Sequence, residues 1–128
     1  MYRTLAYVIG MLVIISAFPS HTLIGNVESE EDEIPEWGFY VYMAGDNTLY
    51  QEVTDDLNEM KMVGSNDNLE IVALTDQLLG NDSHAYHVIK HGLEETPLNE
   101  INSTWENEID MGDGETLKDF MVWATSEY

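Results

Sequence analysis

"WGFYVYMAGDNTLY", residues 37 to 50, decides the fold. Trp37 to Ala44 is aromatic and β-branched and carries no charge, which reads as a buried strand. Ala44-Gly45-Asp46-Asn47 turns the chain, and helical spacing follows. Leu49, Val53, Leu57 and Met60 share one stripe, with Glu52, Asp55, Asp56 and Glu59 mainly opposite. Asn47 or Thr48 is the expected N-cap, accepting from free N–H groups of the first turn. Gly64 is the expected stop. After Asn66-Asp67-Asn68, Leu69 to Thr75 is a second buried strand. Strand, helix and strand within about 40 residues make a βαβ unit, with parallel strands and a right-handed crossover.

Downstream, Gly80-Asn81-Asp82-Ser83 is a turn signal. Ala85 to Lys90 reads as a return strand at the sheet edge, because it contains the polar His87 and Lys90. Residues 92–112 have weak pattern, with one short strand expected near Glu108–Met111. Asp113 is placed to cap a last helix, whose stripe is Leu117, Phe120, Met121 and Ala124 with Trp123 beside it. The fold class is α/β, a parallel βαβ core with an edge hairpin.

Upstream, residues 1–25 begin with Arg3 and continue through an apolar run, Leu5 to Phe18, that Pro19-Ser20 breaks. This is the layout of a secretory signal peptide. The run is short for a membrane span, which needs about 20 apolar residues. A cleaved signal and a retained N-terminal anchor both remain open. Residues 26–36 hold the acidic run Glu28 to Glu33, which repels itself and is expected to be a disordered spacer. The folded part is then 37–128, and the protein is expected outside the cell or at its surface.

The chain has 128 residues, 25 acidic against 4 Lys+Arg, a net charge of −21 and no cysteine. It has no disulfide, no thiolate metal site and no cysteine nucleophile. The charge repels nucleic acid and anionic membrane, which excludes both as partners apart from an N-terminal anchor. The acidity reads either as a solvated surface or as provision for Ca²⁺, which takes carboxylate oxygens. No cofactor is required by anything in the sequence.

The corner Ala44-Gly45-Asp46-Asn47 lies where open α/β sheets bind ligands, at the carboxyl end of a strand. Asp46 is a candidate metal ligand there, and Asp76, at the end of the second strand, is its natural neighbour. Two such carboxylates can share a cation or raise each other's pKa. The competing reading is structural: Gly45 permits a tight corner, and Asp46 and Asn47 cap the helix. Glycine-rich phosphate loops are absent. Of His84, His87 and His91, a strand would put only His87 and His91 on one face, with no acidic partner at a metal-site spacing. Asn81-Asp82-Ser83 and Asn102-Ser103-Thr104 match the glycosylation sequon and support surface loops. No nucleophile-elbow sequence is present.

Four stretches in order, "VYMAGDNTL", "DLNEM", "GSNDNLEIVALTD" and "IDMGDGETLKDFMVWA", together resemble the clostripain-like cysteine peptidases over residues 37 to 126. The resemblance implies a secreted or surface endopeptidase of caspase/gingipain-like α/β fold, using a Cys–His dyad, often cutting after Arg or Lys, and in some members dependent on calcium. It also implies that the next element would be a strand ending in His-Gly, with the cysteine beyond a further strand. The surroundings of His21, His84, His87 and His91 do not match the dyad histidine, so no residue is assigned a catalytic role. The expected identity is the N-terminal part of such a peptidase, an incomplete sandwich without its catalytic His and Cys. The alternative is a non-catalytic acidic secreted binding module for Ca²⁺. An incomplete parallel core is expected to leave an open edge and an uncovered apolar face, and so to be marginally stable alone.

Overall fold

In a computed structural model of the chain, residues 35–128 are described in full and residues 11–17 as backbone. The rest of the expected targeting segment, and the acidic spacer up to Ile34, lie outside the described residues. The elements are β1 (Met11–Ala17), β2 (Trp37–Ala44), α1 (Tyr50–Val63), β3 (Leu69–Asp76), β4 (His84–Ile89), β5 (Gly92–Thr96), α2 (Leu98–Ile101) and α3 (Gly114–Glu127).

β2 and β3 are parallel, in register from Trp37↔Leu69 to Ala44↔Asp76, with α1 as the crossover. β4 runs antiparallel to β3, and β5 antiparallel to β4. These four strands make a mixed sheet, and β1 adds an antiparallel fifth on the far side of β2. The βαβ core and the edge hairpin are thus those the sequence implies. The outer side of β2 is paired with β1.

Three local expectations are corrected. β4 is not the edge strand; β5 lies outside it. The polar His87 that suggested an edge is satisfied across the sheet, by Glu70 at 2.7 Å and Glu94 at 3.3 Å. Glu108–Met111 is not a strand, and the chain there is a loop over the strand ends. The α1 N-cap position is Leu49, with no side-chain cap. Asn47 instead accepts from the Leu49 N–H at 2.8 Å and donates to the Ala44 carbonyl at 2.9 Å, closing the corner on itself. Asp113 caps α3 as expected, accepting from the Glu115 N–H at 3.0 Å. Gly64 ends α1 with φ at +69°, and a Cβ there would overlap the Lys90 backbone.

Alternation along the strands sends side chains to two faces. Tyr40, Tyr42, Val72 and Leu74 meet Phe120 and Ala124 of α3. Val41, Met43, Ile71 and Ala73 meet Val53 and Leu57 of α1. Phe120 is fully buried, its ring 6.0 Å from that of Tyr42. The α1 face is the less complete. Trp37 and Val63 are 45% and 59% exposed. They border an apolar groove of about 530 Å³ with Phe39, Met60, Leu69 and Ile71.

Candidate functional site

The parallel register sets Ala44 beside Asp76, so the corner after β2 and the end of β3 meet at one rim of the sheet. The Gly45 N–H donates to the Asp76 carbonyl at 2.7 Å. A Cβ on Gly45 would come within 2.8 Å of that carbonyl oxygen and would strike Val53. Gly45 is therefore needed for close approach of two backbones. Asp46 follows it on the exposed rim, while Asp76 is only 5% exposed.

A third carboxylate joins them. One oxygen each of Asp46, Asp76 and Glu108 lies within 4.8 Å of the others. They border a cleft of about 450 Å³ that also takes in Asn47, Asp110 and Met111. Glu108 had no signal in the sequence, because it comes from the loop between α2 and α3, which has no periodicity. What brings it in is a set of tertiary hydrogen bonds. The Ser83 N–H donates to the Asn107 carbonyl at 3.0 Å, and the Ile109 N–H donates to Ser83 Oγ at 3.1 Å. Tyr42 donates its hydroxyl to the Met111 carbonyl at 3.1 Å, and the Asn81 N–H donates to Glu108 Oε2 at 2.5 Å.

Burial raises the Asp76 carboxyl above its ordinary range. The Ser83 hydroxyl, donating to Asp76 Oδ1 at 2.7 Å, pulls the other way, while Glu108, Asp82 and Asp46 push it further up. Tyr42, also buried and facing Asp110, Asp113 and Asp76, is pushed up to about 12, so it stays a neutral donor to the loop. The cleft holds oxygen donors and no histidine among its lining. That donor set fits a hard cation such as Ca²⁺ and does not fit zinc.

The described histidines are elsewhere. His84 pairs with Glu95 at 2.7 Å, and His87 with Glu70 and Glu94. His91 lies beyond the end of β4 with φ at +66°, so it does not share a strand face with His87. The acidic partners that the sequence did not reveal are cross-strand neighbours. Among the described residues, no histidine joins a set of three potential ligand atoms that all lie within 4.8 Å of one another. Of the sequons, Asn81 sits in an exposed turn, but its Ser83 is buried. Asn102 donates to Asp119 at 2.6 Å.

The arrangement can hold a proton or a cation at the strand ends. The chain has no cysteine. Against known proteins, the family model described as the clostripain family matches residues 41–128, from the middle of β2 through α3. No curated protein matches the chain.

Proposed function

The chain belongs to the clostripain family, and on that premise we propose that residues 37–128 are the amino-terminal scaffold of a secreted cysteine endopeptidase. In the whole enzyme a His-activated Cys thiolate would attack the peptide carbonyl, forming a covalent intermediate. Neither group is assigned to this chain, which contributes the β2–α1–β3 unit and the acidic rim beside the cleft. The observation that carries this reading is the family match lying across that parallel unit. The caspase-like sandwich is supported by the same unit, with helices on both faces. The net charge of −21 favours basic peptides as substrates, since it raises their concentration near the surface. The layout of residues 1–25 supports export.

The test is to join the chain to the His- and Cys-bearing remainder of a clostripain-family domain and to assay peptides with Arg or Lys before the cut bond. The joined protein should cleave them, and alkylation of its thiol should stop it. The chain alone should be inert. Cleavage by the chain alone, or a folded joined protein with no activity, would contradict the reading.

A second reading is favoured by the meeting of Asp46, Asp76 and Glu108: an acidic binding module that holds Ca²⁺. The two readings are compatible, because the peptidase reading gives Asp46, Asp76 and Glu108 no catalytic role. Calorimetry of the chain with CaCl₂ tests it. Heat that disappears in Asp46→Asn supports a site, and no heat at millimolar Ca²⁺ disposes of it.

A further inference from the structure

The two glycosylation sequons satisfy the same short motif but are placed very differently in the folded chain. In Asn81-Asp82-Ser83 the third residue is only 3% exposed. Its hydroxyl donates to Asp76 Oδ1 at 2.7 Å and accepts from the Ile109 N–H at 3.1 Å. Asn81 is held with φ at +59° and its N–H bonded to Glu108. A glycan-transferring enzyme has to grip the hydroxyl of the third residue. Here it could do so only by opening the end of β3.

Asn102-Ser103-Thr104 is arranged the other way. Asn102 closes α2, donating its N–H to the Leu98 carbonyl at 3.1 Å. Its Oδ1 accepts from the Thr104 N–H at 2.9 Å and from the Thr104 hydroxyl at 2.7 Å. This is an Asx turn with the hydroxyl folded back onto the acceptor amide. Thr104 is exposed, so its hydroxyl can change partner without disturbing the core. The Asn102 amide nitrogen donates to Asp119 at 2.6 Å. An amide nitrogen carries two hydrogens, and one bond uses only one of them. Two residues before Asn102 stands the exposed Glu100, whereas Leu79 stands two before Asn81.

We propose that Asn102 is an N-glycosylation acceptor in the folded chain, and that folding withholds Asn81. The donor is an oligosaccharide carried on a polyprenyl diphosphate. The Nδ2–C1 bond forms as the C1–O bond to the diphosphate breaks. The electron pair of the broken bond leaves with the diphosphate, and the displaced Nδ2 proton passes to a base of the transferase. The second Nδ2 hydrogen remains and keeps the bond to Asp119. Glu100 gives residues 100–104 the acidic lead that a bacterial-type transferase reads. This rests on the export reading and not on the peptidase chemistry.

The test is to give the folded full chain to a purified bacterial-type oligosaccharyltransferase with an undecaprenyl-diphosphate oligosaccharide. Intact mass and peptide mapping read the product, and the acceptor is tested apart from export. The chain should gain one glycan, on the peptide that holds Asn102. Thr104→Ala should lose it, and Asn81→Gln should keep it. Leu79→Glu, at a position 88% exposed, gives Asn81 the same acidic lead. That folded variant should still gain one glycan only, while a free peptide of residues 77–87 with the change is modified at Asn81. A folded chain left unmodified at Asn102 would overturn the proposal. So would a folded Leu79→Glu chain with glycan on Asn81, or a free peptide that is refused, since sequence and not folding would then exclude that residue.

Discussion

Ser83 donates its hydroxyl to Asp76 at 2.7 Å while accepting from the Ile109 N–H at 3.1 Å. Both side chains are buried. One hydroxyl therefore joins the end of β3, the start of β4 and the loop that delivers Glu108. Ser83→Ala leaves a buried carboxylate oxygen and a buried N–H without their partner. The expected loss is about 2–3 kcal/mol in urea unfolding, in the range for stranding a buried or charged group.

Asp76 makes stability depend on pH. Its folded pKa is raised by burial first and by neighbouring carboxylates after that. The folded chain therefore binds this proton more tightly than the unfolded chain. The associated stability is present at low pH and is lost as pH rises from the ordinary carboxylate range through the raised folded value. Asp56 is raised in the same sense, by burial and then by Glu59, Asp55 and Glu52. The urea midpoint should be higher near pH 4, in the ordinary carboxylate range, than at pH 7.5. Asp76→Asn, whose amide oxygen still accepts from Ser83, should narrow that gap. An unchanged gap would remove Asp76 from the explanation.

Calcium should raise the melting temperature at neutral pH, because a cation bound to the folded rim alone stabilises it by mass action. At a hundred times the dissociation constant this is about 2.7 kcal/mol. Asp46→Asn and Glu108→Gln should each abolish the rise. Tyr42→Phe changes no charge but frees the loop at Met111. It should cost about 1 kcal/mol of stability and weaken Ca²⁺ severalfold. Equal calcium responses in all three variants would mean that the ion binds elsewhere.

Packing makes its own demand at two positions. Phe120→Ala removes the fully buried ring that contacts Tyr42. It should cost about 3–5 kcal/mol, a large share of the roughly 5–15 kcal/mol stability of an ordinary domain. Gly45→Ala puts a methyl against the Asp76 carbonyl and Val53. A cost of about 1–3 kcal/mol is expected, together with loss of the calcium response as Asp46 is displaced. Thermal unfolding with and without Ca²⁺ measures both.

The sequence made the βαβ unit legible because local pattern and tertiary role agree there. The uncharged run of β2, the Val53–Leu57 stripe and Gly64 each point to one conformation. The Asp113 cap was legible for the same reason, being a local hydrogen bond. β5 and Glu108 were not legible. β5 is half exposed and contains two glutamates, so its strand character comes from pairing with β4. Glu108 reaches Asp46 and Asp76 through Ser83, Asn81 and Tyr42, partners at least 25 residues away in the chain. No window along the sequence contains them together. Asn47 misled because an Asx turn and a helix cap use the same side-chain oxygen, and its geometry chose the turn.

The most direct measurement is the intact mass and peptide map of the protein purified from the cells that make it. A cysteine peptidase whose scaffold is residues 37–128 needs a thiol that these residues do not contain, and the proposed function puts its imidazole on further polypeptide too. The expected product is heavier than these 128 residues and yields peptides with a cysteine and a His-Gly pair beyond Tyr128. A mature protein that ends at Tyr128 and contains no cysteine would contradict the peptidase assignment and leave the calcium-binding module.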